Sequence, residues 1–244
     1  MEKVLTIENL CKTYGQKTAV HNLNLSVQKG EIFGLLGANG AGKSTTIECA
    51  LGTKRVDCGR VRILGMDPKA SRKRLFERVG VQFQEPRYQE KITVIELCEE
   101  TQSLYKSPAV YADLLKSFGL ADKGRQPVSE LSGGECQRLF VVLALIPNPE
   151  LVFLDELTTG LDTKARRDVW RYLEQLKAGG LTIFLTSHYM DEVETLCDRI
   201  MILKNGESIF CGTVAEAVAQ SPYDKLEDAY LWFTGEEEKQ HESI

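Results

Sequence analysis

Short apolar runs alternate with helical patterns along most of the chain. The runs "EIFGLLG", "LVFLDE" and "LTIFLTS" are almost wholly apolar until a glycine or polar residue ends them, which is typical of buried parallel strands. Helical periodicity begins at Lys43 and again spans Thr163 to Lys177, where apolar positions recur on one face. Strands that alternate with helices predict an α/β fold, with a mostly parallel sheet covered by helices.

Three regions depart from this alternation. The first thirty residues contain two strand patterns, "VLTIENL" and "AVHNLNLSV", around the turn-rich "KTYGQK". From about Thr93 to Ile146 the pattern is helical, which indicates an insertion, and "RIMILKNGESIFCG" predicts a hairpin around Asn205-Gly206. We expect one domain over 1–235, built from a core of 1–84 and 147–222 and a helical insertion of 85–146, followed by a disordered acidic tail of 236–244.

Composition narrows the class of protein. The chain has 244 residues, 27% of them charged, with a net charge of −5, so we expect no primary nucleic-acid binding. The longest apolar run, Leu139 to Ile146, is far shorter than the ~20 residues that cross a bilayer. Any membrane role must therefore depend on a partner.

Seven cysteines are spread irregularly along the chain, with none in a CxxC pair, so a zinc site is not predicted. An odd number of irregularly spaced cysteines indicates that these residues are buried, reduced thiols of a cytosolic protein.

The segment Gly37 to Ser44 fits the pattern G-x-x-x-x-G-K-[ST] between a predicted strand and a predicted helix. Glycines let the backbone approach a ligand closely, and successive N–H groups with the helix N-terminus then attract anionic oxygens. Lys43 adds a positive charge for the β- and γ-phosphates, and Ser44 adds a hydroxyl for Mg²⁺. The predicted phosphate loop comprises Gly37, Ala38, Asn39, Gly40, Ala41, Gly42, Lys43, Ser44 and Thr45.

A second strand supplies the acids that hydrolysis needs. "LVFLDE" ends in Asp155 and Glu156. We expect Asp155 to hold Mg²⁺ and Glu156 to orient or deprotonate the attacking water.

Further motifs resemble those of the ATP-binding-cassette (ABC) ATPases. "ELSGGECQR" is similar to the family signature and lies between the phosphate loop and "LVFLDE", as in that family. Tyr14 in "KTYG", Gln84 in "VGVQFQE", Asp162 in "LDELTTGLD" and His188 in "LTSHYMDE" match its remaining motifs in order. The resemblance covers about Val4 to Gly235. It implies a P-loop NTPase fold with an ABC-type helical insertion and an N-terminal antiparallel β subdomain.

The resemblance also implies roles for these residues. Tyr14 would stack on adenine, although a lone tyrosine in a hairpin is usually a packing residue. Gln84 would contact Mg²⁺, and His188 would contact the γ-phosphate; both would be catalytic groups together with Glu156. Without the family match, Gln84 would be interpreted as an ordinary polar residue at the end of a strand. Two cassettes would pair head to tail around ATP and Mg²⁺. The second copy would contribute Ser132, Gly133, Gly134 and Asp162, of which Asp162 can also be a helix N-cap.

"QEKITVIELC", "TSHYMDEVETLCDRIMILKNGE" and "KLEDAYLWFTGEE" resemble ATPase subunits of drug, antibiotic-resistance and polyketide exporters. The implied partners are separate transmembrane permease subunits, with the chain cytoplasmic and peripheral on the inner face of the membrane. "EPRYQEKIT" is the candidate docking surface. The alternative is a soluble ABC ATPase such as an iron–sulfur cluster assembly ATPase. The translation-factor and DNA-repair classes, which carry two cassettes or zinc inserts, fit less well.

Two positions depart from the family pattern. The signature usually ends in Gln and here carries Glu135. Two unit charges about 8 Å apart repel by about 2 kcal/mol at an effective dielectric of about 20, so we expect a weaker ATP-bound dimer. Leu157 stands where proline is usual, and we expect a small effect because leucine can adopt the required φ.

Overall fold

A computed structural model describes residues 2–82, 88–158 and 160–236. Within these ranges the chain forms an α/β domain with two sheets. In chain order the elements are β1 (Lys3–Tyr14), β2 (Lys17–Gln28), β3 (Ile32–Leu36), α1 (Lys43–Ala50), β4 (Cys58–Ile63), α2 (Arg72–Phe76), β5 (Val79–Gln82), α3 (Val94–Ser103), α4 (Tyr111–Ser117), α5 (Gly133–Leu145), β6 (Leu151–Asp155), α6 (Thr163–Ala178), β7 (Thr182–Thr186), α7 (Met190–Leu196), β8 (Arg199–Lys204), β9 (Glu207–Gly212), α8 (Val214–Gln220) and α9 (Leu226–Thr234).

The N-terminal strands form an antiparallel sheet in the order β2-β1-β4. The antiparallel β subdomain expected from the first thirty residues is therefore confirmed, with β4 added to it. Tyr14 ends β1 and pairs with Lys17 across the turn, so the hairpin places this aromatic ring at one end of the sheet.

The second sheet has the order β5-β6-β7-β3-β8-β9. The strands β5, β6, β7, β3 and β8 are parallel, and β9 is antiparallel to β8. The predicted hairpin is confirmed, because Asn205 and Gly206 have φ values of 51° and 82°, the positive values that a tight two-residue hairpin turn requires.

Side chains from alternate positions of the parallel strands pack into cores on the two faces of this sheet. On one face Phe184 lies between Phe33 and Phe153, at ring-centroid distances of 5.8 and 5.2 Å. On the other face Ile183 and Leu185 pack with the helical segments α3–α6. Burial on both faces explains why these strands are continuously apolar.

The helical segments follow the predicted patterns with small shifts. α6 buries Ala165, Val169, Trp170 and Leu173, which lie on one helical face, and Asp162 caps its N-terminus. The short helices α2, α8 and α9 were not predicted, because their apolar positions are too few or too irregular to show a period. The predicted tail of 236–244 lies almost wholly outside the described residues, and the domain boundaries remain predictions.

Cys11 and Cys58 lie opposite each other on β1 and β4 and form a disulfide in the structure. The expectation of buried reduced thiols is therefore wrong for this pair, because antiparallel pairing brings two distant positions into register. It is also wrong for Cys211, which is exposed, whereas Cys49 and Cys98 are buried free cysteines. In the part of the chain that the structure describes, every helix is too short or too polar to cross a membrane.

Candidate functional site

The carboxyl ends of β3, β6 and β7 meet at one edge of the parallel sheet, because β7 lies between the other two strands. Gly37 follows β3, Asp155 ends β6 and Ser187 follows β7. Three segments that are distant in sequence, the phosphate loop, the acidic pair and the loop with His188, therefore converge at this edge.

Two glycines of the phosphate loop leave no room for a side chain. A Cβ atom at Gly37 would lie 2.7 Å from the carbonyl oxygen of Leu203, and one at Gly42 would lie 2.5 Å from that of Ala19. Gly40 and Gly42 also have φ values of 82° and 109°, which side-chain-bearing residues rarely adopt. α1 begins directly after Gly42 without a side-chain cap, so its first amide groups are available to an anionic ligand.

Lys43 lies in the interior of this loop. Its Nζ atom donates to the carbonyl oxygens of Gly37 and Ala38, at 2.7 and 3.3 Å. Burial lowers the pKa of Lys43, and the carboxylates of Glu156 and Asp155 oppose that shift. The ammonium group therefore faces both acids, and the loop holds it in place.

Asp155 is a buried carboxyl at the end of β6. The hydroxyl of Thr186 on the neighbouring strand donates to its Oδ1 atom. Burial raises the pKa of Asp155. The hydrogen bond from Thr186 lowers this pKa, and the negative charge of Glu156 raises it further. A hydrogen bond from the Ser44 hydroxyl also favours the ionised form. Hydroxyl and carboxylate oxygens with excess negative charge are the donor set that Mg²⁺ prefers.

Glu156 follows β6 with a φ of 50°, a left-handed conformation that is uncommon outside glycine and is enriched at functional sites. Its backbone N–H donates to the Thr186 hydroxyl at 3.0 Å, and Gln137 on α5 contacts its carbonyl oxygen at 3.4 Å. The Nδ1 atom of His188 lies 3.9 Å from Oε1 of Glu156. The structure therefore places the predicted base and the predicted histidine side by side.

Tyr14 lies at the same cavity as the phosphate loop. This cavity of about 280 Å³ is lined by Tyr14, Lys17, Ala19, Asn39, Gly40, Gly42, Lys43, Ser44, Thr45 and Glu156. The ring of Tyr14 is 43% exposed, and the Nζ atom of Lys12 lies 5.1 Å from its centroid. The partly exposed ring is accessible for stacking.

The signature segment is exposed at the start of α5, with Gly133 as the first helical residue and Ser132 as its cap. Within the described ranges, Ser132, Gly133 and Gly134 are not among the residues that line the cavity at the phosphate loop. One copy of the chain therefore presents the two halves of the predicted site separately.

The carboxylate of Glu135 has two partners within its own chain. Its carboxylate accepts from the backbone N–H of Ser132 at 2.9 Å and pairs with Lys123 at 3.0 Å. The Ser132 backbone bond and then the Lys123 bond lower the pKa of Glu135 to about 2. The carboxyl group of Glu135 is therefore ionised, and the ammonium group of Lys123 accompanies its negative charge.

Asp162 caps α6, and its side chain accepts from the backbone N–H of Ala165 at 2.8 Å. Gln84 lies outside the described residues, so its predicted contact with Mg²⁺ has no structural test.

Sequence reasoning missed several residues at the site. Thr186 could have been noticed as a polar residue at the end of an apolar strand. Gln137, Lys12 and Lys123 carry no such signal, because their partners come from segments that only the fold brings near.

The comparisons with known proteins agree with this geometry. A family model described as ABC transporter matches residues 20–159, which is more than half of the chain. The chain belongs to the ABC transporter family and is an ATP-hydrolysing cassette.

Curated relatives carry names from export and resistance systems. The chain is 39% identical over 220 residues to the Nod factor export ATP-binding protein I of Ralstonia nicotianae, covering 88% of this chain and 68% of the relative. It is 37% identical over 228 residues to the linearmycin resistance ATP-binding protein LnrL of Bacillus subtilis, covering 91% and 73%. The chain thus spans about two thirds to three quarters of these relatives. Neither relative supports the iron–sulfur alternative.

Solved structures are similar in fold. An ATP-binding subunit of an ABC transporter superposes with a TM-score of 0.87 at 26% identity, covering 95% of this chain and 99% of that one. A bacterial ABC transporter cassette solved as a dimer superposes with a TM-score of 0.76 at 25% identity, covering 86% and 98%.

Proposed function

We propose that the chain is the ATP-hydrolysing subunit of a membrane exporter, in which two cassettes close on ATP and drive separate transmembrane subunits. The convergence of Glu156 and His188 on the phosphate loop carries this proposal, since it joins a general base to a site for a triphosphate. The export and resistance names of the relatives favour transport out of the cell.

ATP would bind with its phosphates against the loop amides and the Lys43 ammonium. Its adenine would stack on the exposed ring of Tyr14. Ser44 and Asp155 would hold Mg²⁺, with Gln84 as a further ligand. Bound there, the metal would neutralise charge on the β- and γ-phosphates.

Glu156 would orient or deprotonate the attacking water, and His188 would donate a hydrogen bond to the γ-phosphate. The left-handed backbone at Glu156 and its backbone bond to Thr186 support this role, because together they hold the main chain from which the carboxylate extends.

A second cassette would complete the site. Ser132, Gly133 and Gly134 of one copy would contact the ATP bound to the other, and Asp162 would approach the phosphate loop of the mate. The exposure of the signature, away from the cavity of its own chain, supports this arrangement.

The permease would dock beside the helical insertion. The exposed side chains of Tyr88 and Leu104 line a groove of about 380 Å³ there, and Leu104 is 72% exposed. Leu104 also lines a second groove of about 470 Å³ with Phe76 and Tyr105. A cytoplasmic helix of a permease could cover this apolar surface. The chain would then be cytoplasmic and peripheral on the inner face of the membrane.

The catalytic part is tested by Glu156→Gln, with Lys43→Ala as the contrasting variant. Glu156→Gln should keep ATP binding, lower turnover by on the order of 10²- to 10⁴-fold and accumulate ATP-bound dimers. Lys43→Ala should weaken ATP binding itself. Turnover that survives Glu156→Gln would remove Glu156 as the base.

The transport part is tested by purification from membranes in detergent. Leu104→Asp should reduce co-purification of a permease while leaving ATP hydrolysis by the isolated chain unchanged. Equal recovery of the permease with both forms would contradict the docking surface.

A further inference from the structure

Glu192 is a carboxyl group in the interior of the protein that the proposed mechanism does not use. It lies on α7 with no solvent exposure. Its Oε1 atom accepts from the indole Nε1 of Trp170 on α6 at 3.0 Å. Acids are rarely found in such positions, because burial without full pairing destabilises the folded state.

The other side of the carboxyl faces both catalytic loops. The hydroxyls of Ser187 and Thr158 favour its ionised form, and they belong to residues one before His188 and two after Glu156. Oε2 of Glu192 and the Thr158 hydroxyl nevertheless make no hydrogen bond of regular geometry among the described residues. Ser187 also accepts from the backbone N–H of Tyr189 at 3.0 Å, so it links the carboxyl to the loop backbone.

Arg166, near the start of α6, contacts the segment that follows His188. Its guanidinium lies 4.3 Å from the ring centroid of Tyr189, and it pairs with Asp191 at 3.1 Å. The ring of Tyr189 in turn lies 4.2 Å from that of His188. His188 is therefore connected through packed side chains to α6, the helix that Asp162 caps.

Burial raises the pKa of Glu192, and the hydroxyl of Ser187, the indole of Trp170, the hydroxyl of Thr158 and the charge of Arg166 oppose that shift. A residue retained only for packing would not need these polar partners. An apolar side chain of similar size would fill the same volume without the cost of desolvation.

We propose that Glu192 is a positioning residue, which holds the loop bearing His188 and the loop following Glu156 at a fixed separation so that both reach one γ-phosphate. This inference rests on the proposed function, because it assumes that the two loops act together in ATP hydrolysis. Glu192 does not contact ATP in this view. It acts through Ser187, Thr158 and Trp170.

The test compares Glu192→Ala with Glu192→Gln in the full-length chain. Glu192→Ala should lower kcat by on the order of 10- to 100-fold while the Kd for ATP stays within about threefold, because the phosphate loop is untouched. Glu192→Gln keeps an acceptor for the Trp170 indole, and its amide N–H can donate to the hydroxyl oxygens that donate to the carboxylate in the original chain. It should restore kcat to within about threefold of the original chain.

Glu194→Gln is the matched control, since Glu194 is an exposed acid on the same helix that accepts from the backbone of Leu226. It should leave kcat unchanged. An unchanged kcat in Glu192→Ala would overturn the inference, and so would a parallel loss of ATP affinity. Failure of the original chain to hydrolyse ATP would instead overturn the proposed function.

Trp170→Phe covers the case in which Glu192→Ala does not fold. It removes the indole N–H and keeps an aromatic ring. It should lower kcat with little change in ATP affinity, and full activity would contradict the role of the Trp170–Glu192 bond.

Discussion

The imidazole of His188 lies with its Nδ1 atom 3.9 Å from Oε1 of Glu156, although the two residues are 32 positions apart in the chain. They meet because β6 and β7 are neighbouring parallel strands, so their carboxyl ends share one edge. The distance is longer than a hydrogen bond, which leaves each side chain able to reach a different atom of one ligand.

Replacement of His188 by alanine should lower ATP turnover without removing ATP binding. The phosphate loop and Lys43 supply most contacts to the phosphates, while a hydrogen bond to the transferred phosphoryl group matters in the transition state. We expect a fall in kcat of on the order of 10²-fold with a small change in KM. His21→Ala, which alters an exposed histidine paired with Glu207, is the control. A large rise in KM with unchanged kcat would assign His188 to binding alone.

Replacement of Thr186 by valine should affect both stability and turnover. Its hydroxyl donates to Asp155 and accepts from the backbone N–H of Glu156, so the substitution would remove both hydrogen bonds. The free energy of unfolding should fall by about 1–3 kcal/mol, and kcat should fall as well.

Thr182→Val separates these two effects. Thr182 is a buried residue on the same strand, and its hydroxyl accepts from the backbone N–H of Gly30 at 2.9 Å. In urea titrations the Thr182→Val variant should lose about as much unfolding free energy as Thr186→Val, while its ATP turnover stays unchanged. Equal losses of turnover in both variants would mean that Thr186 acts through stability only.

Replacement of Lys123 by methionine should weaken the ATP-dependent dimer. Glu135 would then carry an unaccompanied charge at the N-terminus of α5, near the predicted position of the γ-phosphate of the mate. The strength of the dimer can be measured by analytical sedimentation with ATP, with Lys123→Met introduced into the Glu156→Gln variant. Adding Glu135→Gln to Lys123→Met should restore dimerisation. Glu135→Gln alone should also strengthen the dimer, but by less free energy than the repulsion of an unpaired charge, because Lys123 already offsets part of the charge of Glu135. An unchanged dimer constant in every variant would exclude an electrostatic role for Glu135.

Glu135 should also contribute a pH-dependent part of the stability. The pKa of Glu135 is lowered from 4.5 to about 2 in the folded state. A depressed pKa means that its contribution is complete above 4.5 and is lost as the pH falls toward 2. The difference in unfolding free energy between the original chain and Glu135→Gln should therefore shrink as the pH falls from 4.5 towards about 2. A constant difference would contradict the assignment.

The Cys11–Cys58 pair should stabilise the chain only under oxidising conditions. It closes a segment with a sequence separation of 47, so Cys58→Ser should lower the unfolding free energy by about 2–4 kcal/mol without reductant. With reductant present, the variant and the original chain should unfold alike. A difference of equal size in both conditions would indicate lost packing instead of a lost cross-link.

Much of the fold and of the site could be predicted because strong local rules apply. The strands before Gly37 and Asp155 are buried on both faces and are therefore continuously apolar, and the phosphate loop needs glycines at fixed places. Such patterns need no knowledge of distant residues. The short helices α2, α8 and α9 lack them and were missed.

The sequence by itself determined the phosphate loop, the acidic strand, the hairpin at Asn205-Gly206 and the order of the family motifs, since each depends on residues that are close in the chain. Only the tertiary structure decided the partners of Glu135, Thr186 and Glu192, and the pairing of Cys11 with Cys58. These contacts join segments 12 to 47 positions apart, for example through the pairing of β1 with β4. Contacts of that range depend on strand order, register and helix packing, which no local pattern of residues contains.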